Sequence, residues 1–169
     1  MTERNGKRYR VVDGMVVELA AVEDAPAILH LQKLAYRSEA AIYNDYTIPP
    51  LVQTLEEMQA DCLNLAVLKA LAEGRIVGSV RARMDRETCL IGRLVVHPDL
   101  QNRGIGTSLL AEIESRFDDR ALRFELFTGH KSDRNIYLYK KLGYRVFKTE
   151  RVKENLELVY LEKYNPGRF

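Results

Sequence analysis

Gly104 and Gly106 stand in the stretch Leu94-Val95-Val96-His97-Pro98-Asp99-Leu100-Gln101-Asn102-Arg103-Gly104-Ile105-Gly106-Thr107, which runs from an apolar strand through a proline stop into an amphipathic helix. A helix start leaves backbone N–H groups unpaired and carries the positive end of the helix dipole, so this turn is a ready anion site. The two glycines let a phosphate approach the main chain, and Arg103 and Thr107 can add donors. The chemistry implied is the holding of a phosphorylated cofactor. A nucleoside-triphosphate loop would carry a Lys-Ser/Thr pair after the last glycine, whereas Gly106 is followed by Thr107-Ser108. A dinucleotide fingerprint would want a third glycine where Leu109 stands, and lacks its acidic residue beyond.

Gln101-x-x-Gly104-x-Gly106 after a Val-x-Pro strand end instead resembles the acyl-CoA loop of the GNAT superfamily of N-acetyltransferases. A second segment, Asn135-Ile136-Tyr137-Leu138-Tyr139-Lys140-Lys141-Leu142-Gly143-Tyr144, is similar to that family's later Asn-x-x-x-Tyr-x-x-x-Gly-aromatic motif, in the right order and at a suitable separation. The resemblance covers about Met15 to Lys163 and is specific from Leu94 to Tyr144. It implies acetyl-CoA as cosubstrate. The backbone of Leu94, Val95 and Val96 would lie along pantetheine, Gln101, Asn102, Arg103, Gly104, Ile105, Gly106 and Thr107 would hold the pyrophosphate, and Asn135 would reach the cofactor.

Amine acetylation asks for a neutral amine, a donor for the oxyanion and a proton for the departing thiolate. Tyr139, matching the family tyrosine beside the sulfur, is the expected acid, since a phenol of pKa about 10 is protonated at neutral pH. The Val96 N–H is the oxyanion donor that the resemblance implies. Glu125, between Phe124 and Leu126 in a strand beside the cofactor, is the candidate general base, with His130 next in line. Strand alternation also allows Glu125 an ordinary solvated position. Tyr137, two positions from Tyr139, faces another way on the helix and is expected to be structural. Tyr36, Glu39, Tyr43, Asn44, Asp45 and Tyr46 supply aromatic rings and carboxylates for an amine acceptor, with Tyr36, Tyr43, Asp45 and Tyr46 the expected contacts. The acids favour a small amine or a peptide amine over an anionic acceptor. An acyl-CoA-binding regulatory module without turnover is the alternative from another class.

The elements that must carry these residues are legible in the pattern. Strands are expected at Met15–Ala20, Leu65–Ala72, Arg75–Met84, Thr88–Val96, Leu122–Thr128, Tyr144–Arg151 and Leu156–Glu162, the second and third joined at Glu73-Gly74. A helix with Ile28, Leu31 and Leu34 follows the acids Glu23 and Asp24. Another is expected around Leu51–Ala60, and a third spaces Ile105, Leu109, Ile113 and Phe117 four apart. Ser132–Leu142 is the last, closed by Gly143. Gly92 marks a bulge or a close backbone approach in its strand. The fold class is mixed α/β, and the resemblance implies the GNAT fold, a twisted, mostly antiparallel sheet of about seven strands flanked by roughly four helices.

Composition sets the remaining bounds. The 169 residues fit one domain, residues 13–169, preceded by a flexible basic arm over residues 1–12 with Arg4, Lys7, Arg8 and Arg10. With 26 basic and 24 acidic residues the net charge is +2, and no broad nucleic-acid footprint is expected. Cys62 and Cys89 show no disulfide framework, and these 2 cysteines with the 3 histidines are spaced unlike metal ligands, so no metal is expected. No apolar run reads as a signal peptide or membrane span, which points to a cytoplasmic protein. A homodimer is compatible with the pattern.

Overall fold

The computed structural model describes residues 9–10 and 14–168, with side chains from Gly14 onward. Its elements are β1 (Tyr9–Arg10), β2 (Met15–Leu19), α1 (Ala25–Tyr43), α2 (Pro49–Val52), α3 (Leu55–Asn64), β3 (Ala66–Ala72), β4 (Arg75–Asp85), β5 (Thr88–Val96), α4 (Ile105–Arg116), β6 (Arg123–Gly129), α5 (Asp133–Lys141), β7 (Arg145–Lys153) and β8 (Leu156–Tyr164). The strands form one 8-stranded sheet in the order β1-β2-β3-β4-β5-β6-β8-β7. All neighbours are antiparallel except β5 and β6. The mixed, mostly antiparallel sheet is therefore the expected one, with a short extra strand at its edge. That strand is the described part of the expected arm, its backbone pairing Tyr9 with Val17; the rest of residues 1–12 lies outside the described residues.

Local chemistry sets the helix ends. Asp24 accepts the Ala21 N–H at 2.8 Å just before α1, and Pro26 sits in the first turn, where no N–H is needed. The helix stops at Asn44, in left-handed conformation with φ 49°. One helix over Leu51–Ala60 is not what forms. Pro49-Pro50 start a single turn, and Thr54 begins a new helix with a reciprocal cap in which its hydroxyl accepts the Glu57 N–H at 3.1 Å and Glu57 accepts the Thr54 N–H at 3.0 Å.

The helices cover both faces of the sheet. Along β3, Leu68 packs into the cluster with Ile105, Leu109, Ile113 and Phe117, whereas its neighbour Val67 packs with Ala25, Ile28 and Met58. Because successive strand residues face opposite sides, α4 lies on one face and α1 with α3 on the other. The expected stripe on α4 is the core-facing one, and each of its fully buried Leu109 and Ile113 side chains stabilises the fold by about 1.5–3 kcal/mol.

Two irregularities open the sheet where β5 ends. β5 and β6 pair only from Thr88–Arg123 to Leu90–Glu125, after which they diverge. Across the other edge of β5, Gly92 pairs with Arg81 and Val95 with Ser79, so Arg93 and Leu94 together oppose Val80. This is the bulge expected near Gly92, placed one residue further on, with Arg93 at φ 52°.

Candidate active site

The divergence of β5 from β6 leaves a cavity of about 910 Å³, walled by α1, β5, the loop after β5, β6 and α5. His97 N–H donates to the Val77 carbonyl at 2.8 Å. Alternation along an antiparallel pair then turns the Val96 N–H and C=O away from β4 and toward the gap, as it does those of Leu94. The cavity wall on this side is thus a strand edge with free peptide groups. The Leu94 and Val96 side chains pack against the core, and Val95 is buried.

The loop continues that edge into a helix start. His97 Nδ1 accepts the Asp99 N–H at 3.1 Å, so this histidine shapes the turn, and Asn102 and Gly104 are left-handed at φ 64° and 85°. Gly104 is the residue before α4 and has no side-chain cap; the Ser108 N–H to the Gly104 carbonyl, at 3.1 Å, begins the helical ladder. The N–H groups of Ile105, Gly106 and Thr107 are left for another acceptor. At Gly106 a Cβ would meet its nearest neighbours only at 3.7 Å or beyond, so the fold itself does not demand glycine there. Gln101, Asn102, Gly104, Ile105, Gly106 and Thr107 all line the cavity, whereas Arg103 is exposed and is not part of its wall. Arg134 of α5 donates to the Gln101 side chain across the cavity mouth.

Opposite the strand edge the wall is made of side chains. Tyr139 is buried, and burial, reinforced by nearby Tyr36 and Glu39, pushes its phenol well above the ordinary tyrosine value. Tyr36 is raised as well, first by burial, with Arg93 acting in the opposite direction. Glu39, one turn along α1 from Tyr36, accepts from the Ser132 hydroxyl at 2.5 Å and from Asn135 Nδ2 at 3.5 Å. Asn135 also donates to Thr128 Oγ1 at 3.1 Å, tying α5 to β6. Arg81 and Arg93 complete this end of the cavity.

Several residues expected at the site lie elsewhere or act differently. Glu125 does not line the cavity. It sits opposite Leu90 in the last closed pair of β5 and β6, and Arg123, two residues away on the same strand face, holds its carboxylate at 2.7 Å. The surroundings of Glu125, the expected general base, are an ion pair rather than an apolar gap. His130 is engaged too, its Nδ1 accepting the Glu157 N–H at 2.9 Å. Tyr43 does line the cavity, but its hydroxyl bonds the Ser132 hydroxyl at 2.8 Å and accepts the Lys131 N–H at 3.0 Å. It pegs the end of α1 onto the turn after β6, where a Cβ on Gly129 would fall 2.0 Å from that hydroxyl. Asp45 and Tyr46 are outside the wall. Lys153 and Thr47 hold the Asp45 carboxyl far below the usual carboxylate range, and Tyr46 is exposed. Tyr137 is exposed at the cavity rim, on a different side of α5 from buried Tyr139. Among the described residues no helix is long and apolar enough to cross a membrane.

Comparisons with known proteins agree with this geometry. The model of the acetyltransferase (GNAT) family matches residues 26–144. The UPF0157 protein YqkA of Bacillus subtilis is 29% identical over 140 residues, covering 83% of this chain and 40% of that protein. Acetyltransferase ECA0875 of Pectobacterium atrosepticum is 35% identical over 78 residues, covering 46% and 55% respectively. The chain therefore spans about half the length, or less, of these two relatives. Among solved structures, the PaiA N-acetyltransferase of Thermoplasma acidophilum in complex with coenzyme A superposes with a TM-score of 0.78 at 18% identity, over 89% of this chain and 98% of that one. A GNAT family acetyltransferase from Elizabethkingia anophelis with acetyl-CoA bound gives 0.68 at 20% identity, over 90% and 99%. At such identities the likeness is one of fold.

Proposed function

The chain belongs to the acetyltransferase (GNAT) family, and from that premise we propose that it moves the acetyl group of acetyl-CoA to a primary amine by direct attack. One observation carries the reading: the free edge of β5 leads through the loop of residues 97–104 to the unpartnered N-terminus of α4, and Tyr139 lines the same cavity. The Leu94 and Val96 peptide groups would hold the pantetheine amides, and the N–H groups of Ile105, Gly106 and Thr107 would hold the pyrophosphate. Asn135 helps close this cofactor side.

In the reaction the amine nitrogen attacks the thioester carbonyl, and a C–N bond forms as the C–S bond breaks. The Val96 N–H donates to the oxyanion, Glu39 takes the proton that the amine loses, and Tyr139 gives its phenolic proton to the departing thiolate. Burial keeps the Tyr139 phenol protonated at neutral pH, so its proton is present when the thiolate departs. Glu39 replaces Glu125 as the candidate base because it is the carboxylate that lines the cavity, next to Tyr36 and Asn135.

The test is thiol release from acetyl-CoA across amino acids, polyamines, aminoglycosides and peptides, with acetyl-CoA binding followed by calorimetry. Release with one class of amine is expected. Binding without release from any of them would point to a regulatory module instead, and no binding would remove the cofactor assignment.

A further inference from the structure

Arg93 carries two costs at one position. It is a residue with a side chain held at φ 52°, a conformation that strains any residue but glycine, and its Nη1 is buried with no hydrogen-bond partner. Burial, with the like charge of Arg81 next, pushes its guanidinium pKa down. Tyr36, Asp61 and Glu57 act in the opposite direction, but none of them bonds Nη1. The neighbouring charges are already engaged. Asp61 pairs with Arg81 and accepts Gln53 Nε2 at 2.6 Å, Gln53 accepts Gln32 Nε2 at 2.9 Å, and Glu57 is the reciprocal cap of α3. Arg93 Nη1 is left without a bond, and Arg93 lines both this end of the cavity and a recess of about 280 Å³ beside Glu57 and Asp61. Glu39 lies on the opposite side of this end.

Resting on the acetyl-transfer reading, we propose that the acceptor is an amine that also bears a carboxylate, a free amino acid or a close analogue, with Arg93 as the residue that binds the carboxylate. The amine is received at Glu39, the carboxylate in the cavity wall, and the acceptor's carboxylate at Arg93, whose Nη1 has no bond of its own. A carboxylate fits better than a phosphate. A second negative charge would meet Glu57 and Asp61, which share the recess with Arg93. Asp45 is not the receiving carboxylate, because it does not line the cavity and is bound to Lys153, which does.

The experiment compares each L-amino acid with its carboxamide as acceptor for the full chain and for its Arg93→Met and Arg93→Lys variants. The parent should favour the acids by about 10- to 100-fold in kcat/KM, the value of one charge-assisted hydrogen bond. Arg93→Met should bring that ratio to about one, and Arg93→Lys, which keeps the charge but loses the fork, should fall between them. Neither variant should change acetyl-CoA affinity, and Arg93→Met should unfold no more readily than the parent, because it removes an unpaired buried charge. Binding of N-acetyl-L-amino acids against their amides to the CoA-loaded protein, measured by calorimetry, makes the same comparison without turnover. Equal rates and equal binding for acids and amides, or a preference that survives in Arg93→Met, would overturn the assignment and leave acetyl transfer standing. Acid-selective binding that Arg93→Met abolishes, with no thiol released from any amine, would uphold the carboxylate site and sink the transfer reading alone.

Discussion

The two walls of the cavity are made of different material. The donor wall is main chain: a strand edge freed by divergence from β6, then the bare N-terminus of α4. The wall proposed for the acceptor is side chain, with Tyr36 and Glu39 from α1, Arg81 from β4, Arg93 from β5 and Tyr139 from α5. Main-chain donors are the same whatever residues carry them, so the first wall suits a cofactor of constant shape. Side-chain charges can be changed one at a time, so the second wall is where one such chain can differ from another in what it acetylates. Substitutions should therefore act on the donor wall through shape and on the acceptor wall through charge and proton transfer.

The largest effect is expected where the two walls meet. Tyr139→Phe keeps the buried ring and removes the proton, so kcat should fall about 100- to 1,000-fold while acetyl-CoA affinity stays the same. Turnover within a fewfold of the parent, in steady-state assays, would take the thiol-protonating role away from Tyr139. Glu39→Gln should cost less, about 10- to 100-fold, because solvent can also deprotonate the amine. The sign of its pH dependence follows from the amine: a larger fraction is neutral as pH rises, so the deficit should shrink toward high pH. A deficit independent of pH would mean that Glu39 positions the acceptor rather than receiving its proton.

A pair of alanine variants probes the donor wall. Gly106→Ala meets no near neighbour and should leave stability alone, yet its methyl group stands where a phosphate must approach, so acetyl-CoA affinity should drop about tenfold. Gly104→Ala should behave in the opposite way. At φ 85° a side chain is strained, and unfolding by denaturant should register a loss of about 1–2 kcal/mol. If both variants lost stability and kept affinity, the loop would be a structural turn and no more.

The contrast between the walls also explains what could be read in the sequence. The donor wall is contiguous, residues 94–107, and its signals are local: an apolar strand, a proline, two glycines and a helix of four-spaced apolar residues. Those local signals placed β5, the loop and α4 within a residue or two. The acceptor wall is assembled from positions such as 39, 81, 93 and 139, brought together only by sheet order and by one bulge. No spacing announces that Arg93 lacks a partner, since this depends on Asp61 being taken by Arg81. Other misses had visible signals. Thr54-x-x-Glu57 is a reciprocal cap and marks the restart of a helix that apolar spacing alone merged with the turn before it. Asp45 and Tyr46 follow the left-handed Asn44 that ends α1 and stand outside the wall, which the chain rejoins at Thr47.

The smallest effect is expected at Glu125, and it separates the two walls most cleanly. Arg123 and Glu125 are two apart on one strand, hence on one face, and an acid beside a base in that pattern is better read as a pair than as a catalyst. The pair is partly exposed, with side chains 20% and 23% accessible, and Arg123 also holds Glu162 at 2.7 Å, so Glu125→Gln leaves the arginine a partner. The cost in stability should be no more than about 0.5 kcal/mol by denaturant unfolding. Activity should stay within about twofold of the parent across the pH range, because the residue lies in the closed part of the β5–β6 pairing, behind the gap. A tenfold loss of kcat in Glu125→Gln, steepest at low pH, would mean that the amine approaches from the β6 side. In that event the division into a main-chain donor wall and a side-chain acceptor wall would have to be redrawn, with Glu39 returned to a role in docking α1 against Ser132.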